Sequence, residues 1–263
     1  MAFTLTFLGT GDSAQVPVYN CYCPACELAR QNASFIRKPC SVLLAWEDQQ
    51  WIIDSGRMDL SELFPAPSLH GILQTHYHAD HAQGLLHLRW GVNLRLPVWG
   101  PDDPVGFADL YKHPGILDFS QPWQEFETRT IQNVTITAVP LNHSRPCLGY
   151  VIEKGQFCIA YLTDTVGLPV STYEWLKQKK MDYCIVDCSM PPMPPMPTTP
   201  RNHNDVTTAL KMCEGLHIDK LLFTHIGHEL DDWLMQHERD LPAHVFIAFD
   251  GMVIEDSPHE AAY

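Results

Sequence analysis

One short segment of the sequence carries a dense group of metal-ligand side chains. His76, His78, Asp80 and His81 lie within six residues of the segment QTHYHADHAQG. The segment follows a strand-like run, and side chains two residues apart on an extended backbone point the same way, so His76 and His78 can share one ion. Four such side chains are more than one tetrahedral ion needs. The spacing therefore predicts two divalent ions about 3.5–4 Å apart.

A second group consists of the three cysteines in NCYCPACE, which are Cys21, Cys23 and Cys26. Three thiolates are one ligand short of the tetrahedral set of a structural zinc site. The chain has nine cysteines, an odd number, and the others are scattered along it. This pattern favours reduced thiols with one zinc knuckle at about residues 20–27 over a disulfide framework. The alternative is three unpaired buried thiols.

The composition limits the class of protein. The 263 residues are 45% hydrophobic, enough to bury the core of one large domain or of two modest ones, and we expect a single domain that spans residues 1–263. The formal charge is −14, and no basic run offsets it, which argues against a nucleic-acid or membrane partner. No apolar run approaches the roughly 18 residues of a membrane span, and the N-terminus does not resemble a signal peptide. We therefore expect a cytoplasmic protein.

Strand-like runs and helical segments must position these ligand groups. Runs rich in β-branched and aromatic residues predict strands at 3–9, 41–46, 49–54, 70–75, 96–100, 133–141, 148–153, 157–164, 183–188, 219–225 and 244–250. Helices are predicted at 79–90, 104–113, 170–180, 205–216 and 228–240. Strands run together in pairs before a helix arrives, which indicates a mixed α/β fold with sheets covered by helices. The proline-rich segment Met190–Pro200 is predicted to be a loop.

The order of ligands from His76 to His81, HxHxDH, resembles the signature of the metallo-β-lactamase superfamily. The resemblance extends along the chain, since WIIDSG precedes this segment and PLNHS, AYLTDT and LLFTHIGH follow it, in the order that the family has. It implies a four-layer αβ/βα sandwich of two mixed sheets covered by helices. It also implies two divalent ions and their ligands, with a bridging aspartate and one aspartate that orients the ligand loop without touching a metal. In this sequence the first ion would have His76, His78 and His143, the second Asp80, His81 and His225, with Asp164 as the bridge and Asp54 as the orienting residue.

Within this frame, the missing ligand of the cysteine group is expected at His228, three residues after His225 in THIGH. A Cys₃His zinc site would tie the N-terminal loop to the strand end that carries a ligand of the second ion. A closed coordination sphere leaves no position for water. We therefore expect this zinc to stabilise the fold and not to catalyse.

The cysteine group, HxHxDH, PRNH and THxxH together resemble the PhnP family, the cyclic phosphate phosphodiesterases of the carbon–phosphorus lyase pathway in phosphonate catabolism. The resemblance implies hydrolysis of 5-phosphoribosyl 1,2-cyclic phosphate to ribose 1,5-bisphosphate. A metal-bridging hydroxide would attack phosphorus, and Asp80 is an expected catalytic residue as well as a ligand. His203 in RNHND is the expected proton donor to the leaving sugar oxygen. Arg201, Lys112 and Arg89 are the expected ligands of the second phosphate of the substrate.

Several alternatives stay open at the level of sequence. Histidine and aspartate ligands accept Zn²⁺, Mn²⁺ or Fe²⁺; the resemblance favours Mn²⁺ in the dinuclear site, whereas thiolates favour Zn²⁺. The resemblance also suggests a homodimer. A tRNA 3′-processing endonuclease would need a basic arm that this acidic chain lacks. A thioester or lactone hydrolase would use the same ions, and a non-catalytic zinc-stapled binding protein would be expected to lose some of the ligands.

Overall fold

A computed structural model describes residues 2–193 and 201–256, and its strands form two seven-stranded sheets. The first sheet has the order β14-β1-β2-β3-β4-β5-β6, and the second has the order β13-β12-β11-β10-β9-β8-β7. The strands are β1 (Thr4–Gly9), β2 (Ser41–Trp46), β3 (Gln49–Ile53), β4 (Gly71–Leu73), β5 (Leu96–Trp99), β6 (Leu117–Asp118), β7 (Thr128–Ile131), β8 (Val134–Pro140), β9 (Leu148–Lys154), β10 (Phe157–Leu162), β11 (Lys180–Asp187), β12 (His217–Thr224), β13 (Val245–Ile247) and β14 (Val253–Glu255).

The helices are short and lie on the outer faces of the two sheets. They are α1 (Pro24–Gln31), α2 (Leu60–Leu63), α3 (Ala79–Ala82), α4 (Leu85–Leu88), α5 (Ala108–Lys112), α6 (Val170–Leu176), α7 (Val206–Met212) and α8 (His228–His237). Leu85 and Leu110 pack with Ile72 of the first sheet, while Ala209 and Leu230 pack with the second sheet. No helix within residues 2–193 and 201–256 is long and apolar enough to cross a membrane.

The largest apolar cluster fills the space between the sheets. Phe7 and Leu44 of the first sheet contribute to it, and so do Ile136, Tyr150 and Ile185 of the second, all fully buried. Alternation of inward and outward side chains along each strand explains why these residues face one another. The two sheets with their helices make four layers, so the predicted four-layer α/β sandwich is confirmed.

Both sheets are mixed, and their parallel strands bring several chain segments to one edge. Strands β3 to β6 run parallel in the first sheet, and β10 to β13 run parallel in the second. The remaining neighbours pair antiparallel. Parallel strands point their carboxyl ends the same way, and ligand sites form at such ends. The loops after β3, β4, β10, β11 and β12 therefore meet.

The predicted helix at 79–90 is interrupted, which corrects the sequence-based expectation. It forms as α3 and α4, because the Gly84 N–H donates to the Ser55 carbonyl at 2.8 Å instead of continuing the helical ladder. A β-carbon at Gly84 would lie 2.1 Å from the Arg57 carbonyl, so only glycine fits this close approach. The break holds the ligand segment against the loop that follows β3.

Other differences are omissions. Within the described residues, the strand-like runs of the sequence coincide with 11 strands, whereas no run predicts β6, β7 or β14, of which β6 has only two residues. It also missed α2 and α1; α1 begins at Pro24, a residue that suits the first helical turn, directly after Cys23. In the predicted proline-rich loop, residues 190–193 contain only a bridge from Met190 to Asp205. Residues 194–200 of that loop lie outside the described residues.

Candidate metal centre

The predicted ligands of the dinuclear site converge at the edge where the parallel strands end. Asp54 follows β3, His76 follows β4, Asp164 follows β10 and His225 follows β12. His225 has φ of 58° and Asp54 has φ of 59°, both in the left-handed region that residues other than glycine seldom adopt. Such backbone strain is retained where the surrounding structure demands one position for a side chain, often at functional sites.

Three histidines form the first donor group. His78 Nδ1 lies 3.0 Å from His76 Nε2 and 3.0 Å from His143 Nε2. His76 Nδ1 faces the Thr75 hydroxyl at 3.0 Å, and His143 Nδ1 faces the Asn202 carbonyl at 3.2 Å. A carbonyl only accepts, so His143 carries its ring proton on Nδ1 and directs a bare Nε2 at the other two rings. Three ring nitrogens so arranged match one face of a metal coordination sphere.

Two histidines and two aspartates form the second donor group. Asp164 Oδ2 lies 3.1 Å from His81 Nε2 and 3.4 Å from His225 Nε2. Asp80 Oδ2 lies 3.5 Å from the same His81 nitrogen and 3.4 Å from the same His225 nitrogen. Asp164 Oδ2 is also 3.7 Å from His76 Nε2, so this carboxylate stands between the two groups. The family resemblance implies a bridging ligand at Asp164, and the bridging role stays a prediction.

The donor atoms fit divalent cations. Within each group they lie within 4.8 Å of one another. In the described part of the chain, His81 Nε2, His225 Nε2 and Asp164 Oδ1 are buried and make no hydrogen bond. Buried polar atoms rarely stay without a partner, and an ion is the partner that imidazole and carboxylate donors share. The residues present therefore suit two divalent ions.

The charges of the two groups agree with this. Burial lowers the pKa of His76 well below its usual value and lowers that of His143 to about 4, so both rings are neutral donors at pH 7. Burial raises the pKa of Asp164, but the rings of His225 and His81 outweigh it and hold the pKa well below the ordinary value. The carboxylates around His81 and His225 outweigh burial and raise the pKa of both rings, that of His225 to about 9, so a cation bound here would displace a proton from each ring.

Asp54 holds the ligand loop in place, as the sequence predicted, without facing the donor groups itself. Its buried carboxylate accepts from His81 Nδ1 at 2.7 Å, from the Thr75 N–H at 2.8 Å and from Gln74 Nε2 at 3.0 Å. The bond from His81 fixes the ring proton on Nδ1 and leaves Nε2 bare. Partners of this kind set both the tautomer and the orientation of a metal-ligating histidine.

His203, the predicted proton donor, lies at the rim of the second group. Its side chain is 28% exposed, and its Nδ1 lies 2.8 Å from Oδ2 of Asp187 and 3.9 Å from Asp164. The ring stacks on His225, with centroids 4.7 Å apart. Burial lowers the pKa of His203, but the Asp187 carboxylate outweighs burial and leaves the pKa raised. The structure thus gives His203 a raised pKa and a carboxylate partner that holds the ring.

The three predicted phosphate-binding cations have different positions. Arg201, two residues before His203, donates to Asp205 at 2.6 Å, and Asp205 directly precedes α7. Arg89 is buried and bonds the Asp109 carboxylate at 2.7 Å, so its guanidinium joins α4 to α5. Lys112 lies exposed at the end of α5. Arg201 is therefore a neighbour of His203 along the chain, whereas the Arg89 guanidinium is engaged in an ion pair with Asp109.

The cysteine group and His228 come together as a second candidate centre. His228 Nδ1 lies 3.4 Å from Cys21 Sγ and 3.5 Å from Cys23 Sγ, and Cys26 completes a set whose donors lie within 4.8 Å of one another. His228 is the first residue of α8, and Cys23 precedes α1, so an ion here would join these helices. Three thiols and one imidazole match a tetrahedral zinc site.

Three residues near the dinuclear centre are not among the candidates predicted from the sequence. Asp187 is the last residue of β11 and contacts His203, and Ser189 lies two residues later and contacts His225. Arg145 donates to the Tyr77 carbonyl at 3.2 Å and pairs with buried Asp103 at 3.1 Å, so it ties the ligand loop to the 101–107 segment. A signal existed for Asp187, since it ends a strand-like run as Asp54 and Asp164 do.

Comparison with known proteins places this fold and centre in a family. A family model described as a beta-lactamase superfamily domain matches residues 22–226. Because the match covers most of the chain and the ligand pattern, the protein belongs to the metallo-β-lactamase superfamily. The predicted superfamily is therefore confirmed, and the chain is a member of a group of metallo-hydrolases.

Individual proteins of known structure or function are also similar to this chain. The crystal structure of a diphosphatase from the PhnP family superimposes with a TM-score of 0.78 at 25% identity, covering 97% of this chain and 98% of that one. Ribonuclease Z of Methanosarcina acetivorans is 26% identical over 162 residues, 56% of this chain and 47% of its own length. Coenzyme PQQ synthesis protein B of Methylobacterium radiotolerans is 29% identical over 101 residues, 33% of this chain and 34% of its own length. The chain thus spans half or less of these curated relatives.

Proposed function

We propose that this protein is a metal-dependent phosphodiesterase that hydrolyses a small cyclic phosphodiester, namely 5-phosphoribosyl 1,2-cyclic phosphate, to ribose 1,5-bisphosphate. The observation that carries the proposal is the pair of His203 and Asp187 beside the two donor groups. The likeness to a PhnP-family diphosphatase over 97% of the chain supports a phosphoryl group as the target. The name of the relative ribonuclease Z denotes RNA as its substrate. The formal charge of −14 on the present chain favours a small substrate over RNA.

In this proposal, the three histidines would hold the first ion, and Asp80, His81 and His225 would hold the second, with Asp164 as a ligand that both could use. Two divalent cations held there, for which we propose Mn²⁺, would polarise the phosphoryl oxygens and supply a nucleophilic water at neutral pH. Asp54 keeps the lone pair of His81 directed at the second donor group. We propose that the cysteine group and His228 hold one structural Zn²⁺.

His203 supplies the proton that the leaving group needs. When the ring P–O bond breaks, a sugar alkoxide would be a poor leaving group at neutral pH. His203 holds its Nδ1 against Asp187 at 2.8 Å, which leaves its other ring nitrogen, Nε2, to give a proton to the departing oxygen. Asp187 stabilises the charged ring before the transfer and keeps its orientation throughout.

A comparison of two substrates tests this assignment. The His203→Ala variant should lose roughly 10²–10⁴-fold in turnover of 2′,3′-cyclic AMP, whose leaving group is a sugar oxygen. It should lose much less on bis(p-nitrophenyl) phosphate, because p-nitrophenolate departs without a proton. His237, which is exposed and paired with Asp240, provides the matched control in His237→Ala. An equal loss on both substrates would show that His203 does not donate this proton.

A further inference from the structure

Ser189 lies between a proposed metal ligand and the partner of the proposed proton donor. Its Oγ is 2.9 Å from Nδ1 of His225 and 3.1 Å from Oδ1 of Asp187. Ser189 is 7% exposed, Asp187 is fully buried and His225 is 1% exposed. Bulk water therefore does not substitute for these contacts, and each proton in them has to be accounted for.

Counting protons fixes the direction of the bonds. His225 Nε2 is the atom that lies 3.4 Å from both Asp80 and Asp164, so it must be bare to ligate an ion. The ring proton then sits on Nδ1 and is donated to Ser189 Oγ. The hydroxyl has a single proton to give, and its two acceptors, Oδ1 of Asp187 at 3.1 Å and the His225 carbonyl at 2.8 Å, share it.

Asp187 continues the connection on its other oxygen. Oδ2 accepts from His203 Nδ1 at 2.8 Å and from the Thr165 N–H at 3.1 Å. One short chain of hydrogen bonds thus runs from His225 through Ser189 and Asp187 to His203. The two ends of this chain are the residue that would hold an ion and the residue that would donate a proton.

We infer that Ser189 is a positioning residue that couples retention of the ion at the Asp80, His81 and His225 group to the orientation of His203. This inference rests on the proposed function. Without the hydroxyl, the Nδ1 proton of His225 has no acceptor in this network, and Asp187 loses one contact that fixes the carboxylate for His203. Outer hydrogen-bond partners of metal ligands commonly change ion affinity by roughly 10–100-fold.

The backbone around Ser189 is held independently of its hydroxyl. Its N–H donates to the Asn204 carbonyl at 3.0 Å, and its carbonyl accepts from the Gly227 N–H at 3.2 Å. Ser189→Ala should therefore keep the fold, which circular dichroism and thermal unfolding can check.

The other donor group offers a matched control. Thr75 Oγ1 lies 3.0 Å from Nδ1 of His76 and bonds Asp54, so it resembles Ser189 in its contact with a ligand ring. Asp54 bonds His81, however, and the hydrogen bonds of Thr75 in the described residues do not lead to His203. Thr75→Val should weaken an ion without affecting the proton donor.

The experiment compares Ser189→Ala, Thr75→Val and Asp187→Asn with wild type, all reloaded with Mn²⁺. Ion retention is measured as bound manganese after dialysis against increasing chelator, and turnover is measured on 2′,3′-cyclic AMP and bis(p-nitrophenyl) phosphate. Ser189→Ala and Thr75→Val should each retain one ion about 10–100-fold less well. Only Ser189→Ala and Asp187→Asn should lose roughly tenfold more turnover on the cyclic substrate than on the nitrophenyl ester.

Two results would overturn the coupling. The first is an equal loss of turnover on both substrates in Ser189→Ala, which is the pattern expected for Thr75→Val. The second is unchanged manganese retention in Asp187→Asn, because Ser189 hydrogen-bonds both this carboxylate and His225. The second readout needs no turnover. Absence of cleavage by wild type would refute the proposed function, whereas the retention of Asp187→Asn would still decide the coupling.

Discussion

Replacing Asp54 with asparagine should weaken ion binding more than it weakens the fold. The amide keeps one oxygen, which can still accept from the Thr75 N–H and Gln74 Nε2, both bonded to Oδ1. The new NH₂ group takes the place of Oδ2, which accepts from His81 Nδ1 at 2.7 Å. Two donors then face each other whenever the His81 proton is on Nδ1.

The magnitude follows from the tautomers of His81. In the ion-free protein the ring proton can move to Nε2, so that Nδ1 accepts from the amide and little stability is lost. An ion needs a bare Nε2, which forces the two donors together and removes one hydrogen bond to a charged group, about 1.5–3 kcal/mol. At 1.4 kcal/mol per tenfold, this corresponds to roughly 10–100-fold weaker binding of one ion.

Metal content after dialysis against a graded chelator measures this directly. The matched control is Asp250→Asn, because Asp250 accepts from the Thr10 N–H, the Thr10 hydroxyl and the Lys38 N–H but contacts no proposed ligand. The control should lower the melting temperature and leave both ions bound. Wild-type ion retention in Asp54→Asn, or equal ion loss in Asp250→Asn, would refute the reasoning.

Two further substitutions test the parts of the structure that support the centre. Cys26→Ser should remove the structural zinc and lower the melting temperature, measured by metal analysis and calorimetry, whereas Cys158→Ser, at a buried cysteine outside the knuckle, should keep the zinc. Zinc retained by Cys26→Ser would contradict the proposed ligand set. Arg145→Met leaves the carboxylate of Asp103, which is 4% exposed, without its cation and should cost about 3–5 kcal/mol in urea unfolding. Adding Asp103→Asn should recover part of that loss, and simple additivity of the two changes would contradict the ion pair.

The features that can be predicted from the sequence are those that depend on residues close together along the chain. Strand-like runs and the spacing of His76 to His81 are local patterns, so the fold class and the first ligands could be predicted from them. His143, Asp164 and His225 carry no such pattern and were found only because a family resemblance supplied their order along the chain. Their meeting depends on parallel strands that end at the same edge.

The remaining residues could not be predicted because their roles arise from pairing between strands. Asp187 pairs with Thr224 in the register of β11 and β12, so the residues after these strands become neighbours. The segment DCS contains no pattern that predicts a contact between Ser189 and His225. Spacing also fails to separate a cation that holds a helix, such as Arg89, from one that binds a substrate.

The most direct test of the central proposal is hydrolysis of 5-phosphoribosyl 1,2-cyclic phosphate by metal-stripped protein before and after reloading with Mn²⁺, followed by phosphorus NMR. The proposal predicts that the cyclic phosphodiester signal is replaced by a phosphomonoester signal only after reloading. Persistence of the cyclic signal with Mn²⁺, Zn²⁺ and Fe²⁺ alike, in protein shown to hold the ions, would contradict it.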